Sequence, residues 1–159
     1  MSDVIEFPTN ADQYYRKALS ALKVHDFGRA QEFLIKSYET DPQVHVFEEL
    51  IKLYIGRGQK ADLLNCWQTY FPDIELVSDP SVLLLYGASL PFLYDLDAAL
   101  LKLYQLQARF QAAGWDSEDL MPIIHQLNHT QQLARRLDQA LDQGQEAIES
   151  FINQVYGGQ

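Results

Sequence analysis

One cysteine, Cys66, stands in 159 residues. A lone thiol excludes an internal disulfide and any site held by several thiolates. Basic residues are scarce as well: Lys and Arg number 12 against 22 Asp and Glu, for a formal charge of −10. Such a field repels phosphate backbones and anionic lipid headgroups, so neither nucleic acid nor a membrane is expected as a partner. Long apolar runs are missing. The longest, Val82 to Leu85, is soon followed by Gly87 and Pro91, far short of the ~18 residues of a membrane span. The start, Met1-Ser2-Asp3-Val4-Ile5-Glu6, carries acids where a secretory signal needs positive charge. A cytoplasmic location is the expectation. Strand-like alternation beyond four residues is hard to find, which argues against a sheet.

What is present is ordinary globular material: 47% hydrophobic and 21% charged. The length suits one domain. Apolar residues recur at helical spacing, as in Phe47, Leu50, Ile51, Tyr54 and in Leu96, Leu100, Leu103. Punctuation falls between these runs. Asn10 is the predicted cap of the first helix, with Gln13 three residues on. His25-Asp26, Asp41-Pro42, Gly56-Arg57-Gly58, Phe71-Pro72-Asp73, Asp79-Pro80, Tyr94-Asp95 and Ala113-Gly114 mark the boundaries that follow. Asp116 or Ser117 is expected to cap a seventh helix. Asn128-His129-Thr130 is expected to interrupt it before an eighth, Thr130 to about Tyr156. The tail Gly157-Gly158-Gln159 is expected to fray. The fold class is all-α.

Paired helices with short turns invite a search for repeats. The segment Ala11 to Gln43 carries Tyr14, Ala18, Ala30, Leu34, Ser37 and Pro42, with His25-Asp26-Phe27 at its turn and Tyr38-Glu39-Thr40-Asp41-Pro42 at its end. It resembles a tetratricopeptide (TPR) repeat without a gap. A second unit from Val44 has Phe47, Tyr54, Gly58 and Trp67, but Leu63 where the family keeps a small residue. A third from Pro80 has Gly87, Asp95, Ala99 and Leu103. The resemblance implies a TPR-like α-solenoid of antiparallel helix pairs, a right-handed superhelix: repeats at 10–43, 44–79 and 80–115, then capping helices at 116–159. Small residues let the paired helices approach, and large ones fill the gap between pairs. Ala30 and Ala99 are therefore expected to be buried. Pro91 lies inside the first helix of repeat three and is expected to kink or end it between 87 and 92.

Residues 116–159 carry seven acids and two bases. Leu133, Leu137, Leu141, Ile148, Ile152 and Val155 form one stripe. A solenoid end needs a cap with a polar outer face. A helix from 130 to 156 would be ~40 Å long and would overhang one repeat, offering a surface for a homodimer.

Chemistry-bearing constellations are few. His125 and His129 have the spacing of two metal ligands on one helix face, but Gln126 stands where a zincin needs glutamate. Cys66 beside Trp67 reads as a small buried hydrophobe. Glu48-Glu49 and Asp95-Asp97 read as solvated carboxylates. Gly56-x-Gly58 ends a helix and follows no strand, so it is no dinucleotide fingerprint. Arg135-Arg136 is too small a footprint for nucleic acid. No cofactor or metal is expected, and no catalysis.

The TPR resemblance implies a ligand groove lined by the first helix of each repeat. Here that gives Tyr15, Leu19, Leu22, Lys23, His45, Lys52 and Leu84 as peptide-binding candidates. The family's clamp for a C-terminal carboxylate needs Lys and Asn where this chain has Tyr15 and Leu19, so the clamp is absent. The expected function is a non-catalytic interaction module or scaffold that binds a protein, as a peptide or helix, through apolar anchors and a few acidic groups. A small acidic chaperone that shields a secreted or assembling partner is the alternative, and an enzyme comes third.

Overall fold

The computed structural model describes residues 9–157. The acidic start Met1 to Glu6, and Gly158 and Gln159 of the expected frayed tail, lie outside the described residues. Thr9, one position before the predicted cap, opens helix α1 (Asn10–Lys23). Its hydroxyl accepts the Asp12 N–H at 3.2 Å, and the Asp12 carboxylate accepts the Thr9 N–H at 3.2 Å. The two-way box is thus as predicted but slid by one residue. Asp12 adds what Gln13 lacks, a negative charge beside the helix N-terminus.

Helix α2 (Phe27–Thr40) starts from Asp26, whose side chain accepts the Arg29 N–H at 3.2 Å. The turn before it holds His25 at φ 59, a left-handed conformation that non-glycine residues adopt at some cost. Ser37, late in α2, donates its hydroxyl to the carbonyl of Ala11, early in α1, at 2.8 Å. The two helices therefore run antiparallel. Ala18 and Ala30 have no exposed surface, which lets the backbones come close.

Helix α3 (Val44–Gly56) packs on α2, and α4 (Lys60–Tyr70) packs on α3. Gly58 at φ 65 makes the turn between them. A 3-10 turn, Ile74–Leu76, leads to α5 (Pro80–Leu93), which packs on both α3 and α4. The expected end of α5 before 92 is not observed; the helix runs to Leu93. Pro91 sits in the last turn, so its missing N–H costs a single helical bond close to the end of the helix.

Phe47 centres the core here. Its ring lies 4.9 Å from that of Trp67, 5.1 Å from Phe71 and 5.3 Å from Tyr38. The Trp67 Nε1–H donates to Ser89 Oγ at 3.0 Å, and that hydroxyl donates to the Leu85 carbonyl at 2.9 Å, so the buried indole is satisfied.

The chain divides between Leu93 and Tyr94 into two compact units. The predicted third repeat, 80–115, spans this division. In the second unit, Asp95 caps α6 (Leu96–Ala113) by accepting the Ala98 N–H at 2.8 Å, and Gly114 ends it in the left-handed region at φ 71. Ala99, Leu103 and Phe110 on α6 are fully buried.

Helix α7 (Met121–Gln143) corrects the sequence reading. The expected break at Asn128-His129-Thr130 is absent. The Asn128 amide donates to the Tyr104 hydroxyl at 2.8 Å, and the Thr130 hydroxyl donates to the Gln126 carbonyl at 3.0 Å. The Asn128 side chain is thus engaged away from the backbone, and the Thr130 hydroxyl bonds back within its own helix, an arrangement a continuous helix accommodates. The break falls at Gly144 instead, at φ 96 and ψ −172, a region that glycine alone enters readily. Helix α8 (Gln145–Tyr156) then folds back on α7, where Arg136 hydrogen-bonds Gln154 and lies over the Phe151 ring at 5.6 Å. The expected ~40 Å overhang from 130 to 156 is thus replaced by a hairpin. Among the described residues the architecture is all-α, with eight helices and no strand.

Candidate functional site

The seven predicted groove residues fall on α1, α3 and α5. Three of them come together. Tyr15 on α1 meets His45 on α3 edge to face, with ring centroids 5.0 Å apart. One helical turn along α3 from His45, Glu48 pairs with Lys52 at 3.1 Å. Burial raises the Tyr15 pKa first, and the negative charges of Glu49 and Glu48 raise it further against the opposing pull of Lys52. The phenol is therefore held as a protonated donor. The hydrogen bond with Glu48 raises the Lys52 pKa, followed by the Glu48 charge, so its ammonium stays charged.

This centre carries two carboxylates for one ammonium. Lys52, expected to receive an acidic group, already holds Glu48. Leu19 and Leu22 are half-buried on α1, and Leu84 is half-buried on α5. Lys23 is exposed in the last turn of α1. What the face offers is an aromatic edge, three partly covered leucines and a local excess of negative charge.

The other candidate residues have structural places. Cys66 is buried, and that burial pushes its thiol up to about 12, far from a nucleophile's range. Asp95 caps α6, and Asp97 accepts the Gln131 amide at 2.8 Å. His125 and His129 are exposed on α7. Among the described residues, no group of three His, Cys, Asp or Glu side chains is placed to hold a metal, and no helix is long and apolar enough to cross a membrane.

Two cavities of the first unit escaped the sequence. One, of about 240 Å³, lies against Ile35, Tyr54, Cys66 and Tyr70, with Glu39 and Asp62 on its wall. Glu39 accepts the Tyr70 hydroxyl at 3.0 Å. The other is a cleft of about 480 Å³ between α1 and α2 that includes Arg16, Lys17 and Arg29. Its signal was present as three bases within fourteen positions, but they sit on two helices. No helical period links them until the turn at His25 is folded.

No family model matches the chain, and no curated protein and no solved structure matches it.

Proposed function

We propose that the chain is a non-catalytic, cytoplasmic protein-interaction module of TPR-like build, holding a peptide or helix against the face of α1 and α3 that continues to α5. The observation that carries this reading is the contact of Tyr15 with His45. It joins one side chain from the first helix of each of two successive predicted repeats, and the core consumes neither. The packing order supports it: α1 on α2, α2 on α3, α3 on α4, and α3 also on α5. In stacked helix pairs such a face runs on from unit to unit. The favoured ligand has apolar anchors for Leu19, Leu22 and Leu84. Its charge near the centre is positive rather than acidic, because Glu48 and Glu49 outnumber Lys52.

The test replaces His45 with a photo-crosslinking phenylalanine analogue and, in a second chain, does the same at Gln132 on α7. One discrete cross-linked protein from position 45, lost with Tyr15→Ser, is the expected result. Cross-linking only from position 132, unchanged by Tyr15→Ser, rejects the reading.

A second reading rests on α7 and α8, where Leu141 is 56% exposed and Tyr156 is 77% exposed. These residues suit the pairing of two copies. Sedimentation of the Leu141→Asp/Ile152→Asp chain tests it: this reading requires a dimer that the substitutions dissolve.

A further inference from the structure

Helix α1 presents two different stripes. At 100° per residue, Arg16, Ser20 and Val24 follow one another along a stripe whose centre lies about 130° round the helix from that of Tyr15, Leu19 and Leu22. Between that line and the first turns of α2 lies the cleft of about 480 Å³. Ala21, Val24 and Phe33 supply its apolar surface, and Arg16, Lys17 and Arg29 its charge. The one acid among its lining residues, Asp26, accepts the Arg29 N–H as the cap of α2, so the lining holds three bases and one acid. Among the described residues neither guanidinium has an ion-pair partner. The Lys17 ammonium lies 5.6 Å from the Phe33 ring centroid, and Lys36 lies 5.7 Å from the same centroid. Val24 is 73% exposed within this cationic surround.

The charge here runs against the rest of the chain. The whole carries −10, yet α1 and α2 hold five bases and three acids. Beyond a Debye length of ~8 Å the global field is screened, so a ligand seated in the cleft responds to the nearby cations. Unpaired guanidiniums match carboxylates in a two-pronged geometry. The apolar floor asks for more than a bare anion, which would leave Val24 and Phe33 uncovered. A nucleic-acid strand would meet the −10 field along its whole length.

We propose that this cleft is a second docking site, distinct from the Tyr15–His45 face, that takes an acidic segment of a partner protein. An apolar side chain of that segment rests on Val24 and Phe33, and its flanking carboxylates meet Arg16 and Arg29.

The probe is a fluorescein-labelled peptide, Glu-Glu-Leu-Glu-Glu-Phe-Glu-Glu, read by fluorescence anisotropy against the full chain, beside the same peptide with Gln for every Glu. The acidic peptide is expected to bind and the Gln peptide to bind about tenfold more weakly or worse. Arg16→Glu/Arg29→Glu should weaken the acidic peptide by at least about tenfold, and Val24→Asp should weaken it too. Lys60→Glu/Arg135→Glu makes the same change in total charge at exposed sites elsewhere, and should shift binding by no more than about twofold. Circular dichroism checks that each variant is folded. Each of these outcomes overturns the proposal: no binding of the acidic peptide, equal binding of the two peptides, equal losses in the two charge-reversed chains, or displacement of the peptide by millimolar inorganic phosphate. A dimer in sedimentation that Arg16→Glu/Arg29→Glu dissolves also overturns it, since the occupant is then a second copy.

Discussion

Helix α4 has 11 residues and buries Leu63, Cys66 and Trp67, whereas α7 has 23 residues and buries Ile124 and Ala140. Twice the length gives fewer buried side chains. The short helix belongs to a unit whose rings interlock around Phe47 and whose closest helices meet across alanines. The long one pairs with α8 through Arg136, which touches Gln154 and the Phe151 ring from an exposed position. Helical periodicity is strong in both places. What separates them is the material on the apolar stripe: aromatic and small residues in alternation on one side, isolated leucines among glutamines on the other. Stability follows burial rather than helix length, so the two regions should open at very different cost.

The sharpest way to break that contrast is Trp67→Ala. It removes a buried indole, leaves a cavity against Phe47 and orphans the Ser89 contact, at a cost of ~3–5 kcal/mol. Leu141→Ala, on the exposed part of α7, should stay within ~0.5 kcal/mol. Urea unfolding of both chains decides it, and similar losses would erase the distinction.

Alkaline pH probes the same core without a mutation. Burial pushes Cys66 up to about 12, and burial with neighbouring negative charge pushes Tyr54 up to about 12. The folded chain keeps protons that the unfolded chain releases once pH passes the ordinary values near 9 and 10. The unfolded state then binds fewer protons, so stability falls as pH rises through that window and is at its full value below it. The urea midpoint should drop between pH 8 and pH 11, and Cys66→Ala should flatten the drop. A midpoint that holds or rises would show that these groups are not buried.

Ala30→Leu tests the close approach of α1 and α2. Ala30 has no exposed surface, so the added atoms must displace a helix, at ~1–3 kcal/mol. In the second unit the matching weak point is Gly144. Open space surrounds the position of an added Cβ, but φ 96 is closed to other residues. Gly144→Ala should cost ~1–3 kcal/mol and be felt locally. Amide exchange across 145–156 should speed up while α3 and α4 keep their protection.

Much of this contrast was legible in the chain. The alanines, the Asp-Pro and Gly-x-Gly boundaries and the helical spacing of leucines act locally, so the helices and most of their ends could be read from residue types. The errors have a common origin. Asn128 and Thr130 look like helix breakers until Tyr104 and the Gln126 carbonyl supply partners, and only the folded chain brings Tyr104 there. Gly144 breaks the helix where the sequence reads as a continuous apolar stripe. The capping box lay one residue from its expected place because Thr9 and Asn10 are both competent caps. The groove candidates on α1 and α3 came from the family resemblance alone, and the cleft of Arg16 and Arg29 exists only across a tertiary contact.

The smallest expected effect concerns the centre of the proposed ligand face. Glu48 precedes Lys52 by four residues on α3, the favourable order for an ion pair along a helix. Both side chains are well exposed, so water and salt screen the pair and its contribution is only ~0.3–0.5 kcal/mol. Lys52→Ala should therefore barely move the unfolding midpoint, and 1 M salt should shrink even that shift. Its value lies in the ligand it discriminates. With the ammonium gone, Glu48 and Glu49 stand uncompensated beside Tyr15 and His45. A partner that brings a positive group to this face should bind the Lys52→Ala chain more tightly, and one that brings an acidic group should bind it less well. Partner recovery at equal stability separates the two, and unchanged recovery would show that the centre of the face touches no ligand.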